Sequence, residues 1–267
     1  MIGWLIYRDN DIKDNEFFIS QLISAFGALG QKLELISYQN FALKIKRDFR
    51  PCDFVVNRSF NPDLTRIFEQ LGIAVFNSLA IAEVGYDKAL SMATAATLGI
   101  EVLTSVLSFS DDPISTEFEL EVQKPNFGHG GHGVKLVNSK APRQNADEKD
   151  AILHQLYSAS TAEDHRCYVF LDGSTYWTVR TAAKGEFRAN LKQGGRVEAY
   201  DPSEQEVEVA QKLHRHLGPG NYAIDLIPYG ESYVLNEVED VCGYRSLYQL
   251  SLCDPAAKIA KGISSMF

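Results

Sequence analysis

The chain has 267 residues, 45% of them apolar and 23% charged, which is ordinary for a globular protein and long enough for one large or two to three small domains. Its formal net charge of −9 argues against broad binding to nucleic acid or to an anionic membrane surface, while leaving room for a local basic pocket. No run approaches the ~18 apolar residues of a membrane span.

The first residues, MIGWLIYRDND, are apolar only briefly and lack a basic leader and an A-x-A site. They read as a first strand rather than a signal peptide. The four cysteines, Cys52, Cys167, Cys242 and Cys253, have neither C-x-x-C nor zinc spacing. They read as buried thiols in a reducing compartment, so a cytoplasmic location is expected.

Ile2–Tyr7 is a short buried strand. Asn15–Gly30 carries Phe17, Phe18, Leu22, Ile23, Phe26 and Leu29 at helical spacing and stops at Gly30. Lys32–Ser37, Cys52–Arg58 and Ile73–Phe76 are further strands, with a helix at Leu64–Leu71. Such alternation predicts a small parallel α/β unit with ligands at the carboxyl ends of its strands, where Arg58 lies. Asn77–Tyr86 then leads to Asp87-Lys88 and a helix over Ala89–Leu98, stopped by Gly99. Val102–Phe109 follows, and Ser110–Thr116 is a loop.

In Glu119–Val137, Phe118, Leu120 and Val122 alternate with Glu119, Glu121 and Gln123, the period of a half-buried strand. Continuing that alternation puts Lys124 on the apolar face, where an ammonium is costly unless an anion meets it. The loop beyond offers Gly128, Gly130, Gly131 and Gly133, which let backbone N–H groups come close to a ligand. A lysine with a glycine-rich loop suggests a phosphate site. The spacing fits G-x-G-x-x-G, but a strand at Val134–Val137 follows where a dinucleotide fingerprint needs a helix. A Walker A loop is excluded by Val134, and no protein-kinase motif follows.

Ala141–Asp150 reads as a loop and Ala151–Tyr157 as a short strand or helix. Arg166–Leu171 and Ser174–Thr181 flank the hairpin signal Asp172-Gly173. Glu186–Asn190 is extended and Gln193-Gly194-Gly195 turns. Ser203–Leu217 is a helix that opens with the capping box Ser203-Glu204-Gln205-Glu206. Tyr222–Pro228 and Ser232–Glu239 are strands around Tyr229-Gly230-Glu231. A hairpin centred near Glu231 sets Asp225 opposite Glu237, and Glu237 and Glu239 share a face roughly 7 Å apart. Three carboxylates converging in an apolar hairpin repel one another unless a cation sits among them, and a hard divalent ion such as Mg²⁺ meets that need.

These motifs, in this order, resemble the ATP-grasp superfamily, and within it the RimK-like carboxylate–amine ligases. The resembling stretches are Asp53–Arg58 (DFVVNR), Gly72–Lys88 (GIAVFNSLAIAEVGYDK), Gln123–Val134, Asp164-His165-Arg166, Phe187–Gly195 (FRANLKQGG) and Glu237-Val238-Glu239. The resemblance implies an α/β fold of α+β lobes, with an N-terminal Rossmann-like pre-ATP-grasp domain over residues 1–85. It implies a small ATP-grasp lobe carrying the loop over 86–154 and a large lobe carrying the metal over 155–267.

The roles it implies follow position by position. Lys88 and Lys124 contact nucleotide phosphates, the Gly128–Gly133 loop closes over them, and Gln155 and Leu156 meet the adenine. Asp225, Glu237 and Glu239 hold Mg²⁺, or Mn²⁺ in its place. Arg180, Arg188 and Asn190 face the reacting carboxyl group and the γ-phosphate. The implied reaction is ATP-dependent amide formation through an acylphosphate, on a small-molecule or peptide substrate bearing carboxylate and amine, with no nucleic-acid or membrane partner and with homo-oligomerisation left open.

Three departures stand out. Glu239 replaces the metal-binding asparagine. No acidic residue for the ribose follows Gln155 at the usual place, leaving Ser158, Ser160 or Glu163. Asp240-Val-Cys-Gly-Tyr244 replaces the small-residue-Pro-Gly turn. His129 and His132 read as exposed loop residues, and Tyr244 and Arg245 either reach the substrate or cap the last helix. A non-catalytic ATP-binding regulator and an ATP-grasp phosphotransferase remain the alternatives.

Overall fold

A computed structural model describes residues 1–46, 50–109, 118–128, 130–138, 151–157, 162–184, 189 and 194–267. Its elements begin with β1 (Ile2–Tyr7), α1 (Asp9–Asp14), α2 (Glu16–Ala28), β2 (Lys32–Ser37), β3 (Phe54–Arg58), α3 (Pro62–Gln70) and β4 (Ala74–Phe76). The four strands form a parallel sheet in the order β2-β1-β3-β4. Leu5, Tyr7, Phe54 and Val56 pack on Phe18, Leu22 and Phe26 of α2. Ile6, Val55 and Val75 face Leu64 and Phe68 of α3. The central strands are therefore apolar on both faces, as a helix-covered parallel sheet requires.

α4 (Leu79–Tyr86) is a helix where the sequence suggested only a connection. Ile81, Ala82 and Val84 are buried and the segment is apolar nearly all round, so it shows no amphipathic period. α5 (Lys88–Thr97) follows at once, capped by the Asp87 carboxylate, which accepts from Leu90 N–H at 2.9 Å.

The second sheet comprises β5 (Ser105–Ser108), β6 (Leu120–Pro125), β7 (Lys135–Asn138) and β8 (Ile152–Leu156), antiparallel in the order β5-β8-β6-β7. Ala151–Tyr157 thus resolves to a strand. Lys124 is buried, as the alternation required, but Glu121 is buried too. Its carboxylate lies 3.0 Å from His154 Nδ1 on the neighbouring strand, a long-range pair that a local period cannot reveal.

The third sheet holds β9 (Glu163–Val169), β10 (Thr175–Thr181), β11 (Arg196–Ala199), β12 (Tyr222–Tyr229) and β13 (Ser232–Glu239), antiparallel in the order β11-β10-β9-β12-β13. α6 (Glu204–Leu217) starts from the full capping box on Ser203 and Glu206. Its Val209, Ala210, Leu213 and Leu217 pack with Cys167, Val169, Ile224 and Leu226 of the sheet and with Ile81, Met92 and Ala95 of α4 and α5. α7 (Arg245–Gln249) and α8 (Pro255–Ser264) return the chain to the first sheet, where Ile259 and Ile263 join the Phe18–Phe26 core. No helix among the described residues is long and apolar enough to cross a membrane.

Candidate functional site

The β12–β13 hairpin closes through a two-residue turn, Gly230-Glu231, with Tyr229 opposite Ser232 and Gly230 at φ +62°. The turn is one residue tighter than the sequence suggested. The register then shifts, since Leu226 pairs with Leu235 but Asp225 pairs with Glu237. Asn236 is the extra residue of a β-bulge. The bulge restores the Asp225–Glu237 pairing. It also lets both Leu235 and Val238 enter the α4–α6 core, which strict alternation forbids.

Opposite that core the sheet carries a row of charge. Asp225 lies across from Arg166 of β9, and Asp164 across from Arg180 of β10. Arg166 donates two hydrogen bonds to Asp225, each 2.6 Å, and lies 2.7 Å from Glu239. Arg180 donates to both oxygens of Asp164 at 2.6 and 2.7 Å and to Asp225 at 2.7 Å. Burial pushes the Asp225 carboxyl up, but Arg166 and Arg180 outweigh it and hold the group below the usual range. Burial lifts Asp164 to about 6 against the pull of Arg180, and lifts Glu239 against the pull of Arg166. Two guanidinium groups thus offset part of the repulsion among these carboxylates that the sequence left to a cation alone. Their role was invisible because β9 and β12 meet across 59 residues of chain.

One lysine comes from β6 of the second sheet and the other from the start of α5. Lys124 Nζ donates to Asn236 Oδ1 at 2.7 Å. Burial lowers its pKa to about 8, with Glu237 acting in the opposite sense. Lys88, the first residue of α5, donates its ammonium to the Gly128 carbonyl. Asn126 makes that approach possible. Its side-chain oxygen accepts from Ala89 N–H and its amide donates to Asp87, each at 2.9 Å, while its carbonyl accepts from Lys88 N–H at 3.2 Å. Asn126 therefore fixes the root of the glycine loop to the start of α5. It was missed because an asparagine after Lys-Pro reads only as a turn residue. Phe127 stacks on Tyr86 at 5.2 Å and adds to the same joint. Gly130, Gly131 and Gly133 all have positive φ, and a Cβ on Gly133 would come within 2.7 Å of the Pro125 ring.

The other candidate residues lie outside this row of charge or outside the described residues. Gln155 is buried with its amide 3.9 Å from the Met92 sulfur. Leu156 is half-buried, and its N–H donates to the Thr104 carbonyl at 2.9 Å. Glu163 bonds His165 at 3.1 Å. Arg188, Asn190, His129, Ser158 and Ser160 lie outside the described residues. His132 is exposed. Tyr244 is buried among Phe18, Tyr168 and Phe170, and exposed Arg245 opens α7. Arg58 is buried against Tyr7 and Tyr244, and its Nη2 donates to the Cys242 carbonyl at 2.8 Å. The cavity it lines holds about 20 Å³, room for a water and not for a substrate.

The acidic residues suit a hard cation. Asp225, Glu237 and Glu239 each bring an oxygen to within 4.8 Å of the other two. Four carboxylates (Asp164, Asp225, Glu237 and Glu239) face two guanidiniums, leaving an excess of negative charge. All-oxygen donors with that excess match Mg²⁺ chemistry. Glu237 and Glu239 fit most directly, because both oxygens of Asp225 already accept from arginine.

A second sheet whose Lys124 meets the acidic hairpin of the third, with Lys88 at the root of a glycine loop, is the architecture of an ATP-grasp protein. The D-alanine–D-alanine ligase of Bacillus anthracis, solved with ATP, superposes with a TM-score of 0.74 at 17% identity, over 99% of this chain and 96% of that one. Residues 85–263 match the model of the RimK-like ATP-grasp domain, and the chain belongs to the RimK-like ATP-grasp family. The uncharacterized protein MG011 of Mycoplasma genitalium is 25% identical over 252 residues, 92% of this chain and 86% of that protein. A probable alpha-L-glutamate ligase of Shewanella halifaxensis is 26% identical over 214 residues, 75% of this chain. The chain spans about half the length of that relative, 46%.

Proposed function

We propose that this chain is an ATP- and Mg²⁺-dependent carboxylate–amine ligase acting on an amino acid or a peptide. The observation that carries the reading is the bond of Lys124 to Asn236 beside the acidic cluster of Asp225, Glu237 and Glu239, with Lys88 held against Gly128 at the root of the glycine loop. The names of the relatives, a glutamate ligase and a D-alanine–D-alanine ligase, support the substrate class.

In this reading ATP lies between the second and third sheets. Lys88 and Lys124 hold phosphate oxygens, the glycine loop closes its N–H groups over them, and Gln155 and Leu156 flank the adenine. Glu237 and Glu239, with Asp225 sharing an oxygen, would hold Mg²⁺, which when bound offsets phosphate charge. The substrate carboxylate attacks the γ-phosphate to give an acylphosphate and ADP. An amine then displaces phosphate and leaves an amide. Both partners of the first step are anions, so cationic side chains must offset their charge and align them. Arg180, with Arg188 and Asn190, takes that role at the reacting oxygens. No protein nucleophile is required. The first division stays near residue 85, whereas β8 carries the second sheet on to Leu156 and the third begins with β9 at Glu163, so the small lobe runs past the expected boundary at 154. The test is ATP-dependent hydroxamate formation in hydroxylamine across pools of amino acids and peptides. Absence of both hydroxamate and ADP with every pool would overturn the reading.

A further inference from the structure

We infer that Asn236 is a positioning residue that aims the Lys124 ammonium into the nucleotide cleft. The inference rests on the reading of Lys124 as a phosphate contact. Lys124 sits on β6 and Asn236 on β13, 112 residues apart in sequence, and their bond spans the second and third sheets. Asn236 is the inserted residue of the bulge, adjoining Glu237 at the step opposite Asp225. The bulge therefore does two things. It restores the acidic residues to one face, and it supplies an amide oxygen where Lys124 arrives.

The type of acceptor decides what the lysine can do. Among the described residues no carboxylate lies within ion-pair distance of Lys124, although the acidic hairpin is next to it. A carboxylate acceptor would neutralise the ammonium and compete with an incoming phosphate. A neutral amide oxygen fixes the direction of Nζ and leaves its charge for the ligand. An ammonium has three donors, so one bond to Asn236 leaves two for phosphate oxygens. Without that acceptor the lysine, on a flexible four-carbon stem, must be ordered by the nucleotide itself.

The test is a double-mutant cycle read by calorimetric titration of ADP in EDTA, so that metal binding at Glu237 does not contribute. Asn236→Leu should weaken ADP about tenfold, the scale of a hydrogen bond to a charged group. Lys124→Met should weaken it at least as much. The double variant should match Lys124→Met alone, because Asn236 acts only through the lysine. Asn236→Asp should also bind less well, because its charge competes with phosphate. Wild-type affinity in Asn236→Leu, or a full tenfold loss added on top of Lys124→Met, overturns the inference while sparing the nucleotide reading. Wild-type affinity in Lys124→Met overturns the nucleotide reading itself.

Discussion

Arg166 and Asp225 stand directly opposite each other on neighbouring strands and share two hydrogen bonds of 2.6 Å, both side chains almost fully buried. Removing one partner of such a pair leaves a buried charge uncompensated. Arg166→Met should lower unfolding stability by about 3 kcal/mol, measured by urea denaturation. Arg66→Ala, at an exposed pair with Glu83, should cost far less. Equal losses in the two variants would contradict the assignment.

Glu237→Ala should reduce ATP turnover by on the order of 100-fold or more and abolish Mn²⁺ binding followed by electron paramagnetic resonance. Glu239→Asn, which restores the residue usual in the family, should keep both. Unchanged metal binding in Glu237→Ala would remove Glu237 from the set.

His165 faces away from the acidic row, 2.6 Å from Glu206 and 3.1 Å from Glu163. Burial disfavours its charge, but the bonds to Glu206 and Glu163 outweigh it and raise its pKa. A base with a raised folded-state pKa gives stability that is fully present below its unfolded value of ~6.5 and is lost as pH rises through the folded value. The thermal midpoint should therefore fall between pH 6 and 9 more steeply in the wild type than in His165→Gln. Parallel profiles would contradict this.

A Cβ on Gly85 would lie 2.5 Å from the backbone nitrogen of Asp240, the residue after Glu239. Gly85→Ala must push the end of β13 away and should cost about 1–3 kcal/mol. Gly27→Ala, at a position with no atom within reach of a Cβ, should be neutral or stabilising. The reverse order would contradict the packing described.

Much of this was legible in the chain. The strands of the first sheet, the α6 capping box and the burial of Lys124 follow from local period and capping chemistry. The pairing of Asp225 with Glu237 was also foreseen, though from a turn centred on Glu231. In the structure a tighter turn and the Asn236 bulge offset each other by one residue. Arg166 as the partner of Asp225, Asn126 as the anchor of the loop, and Glu121 beside His154 were not foreseen. Each depends on contacts between strands or helices far apart in sequence, which no local pattern encodes.

The central claim is the ligase half-reaction. ATP, Mg²⁺ and hydroxylamine are incubated with the protein and pools of amino acids and peptides, and hydroxamate and ADP are measured together. Hydroxamate formed in step with ADP, and dependent on one acid, is the predicted result and identifies the carboxylate donor. ADP formed with a phosphorylated hydroxyl product and no hydroxamate would contradict the ligase reading and favour a phosphotransferase.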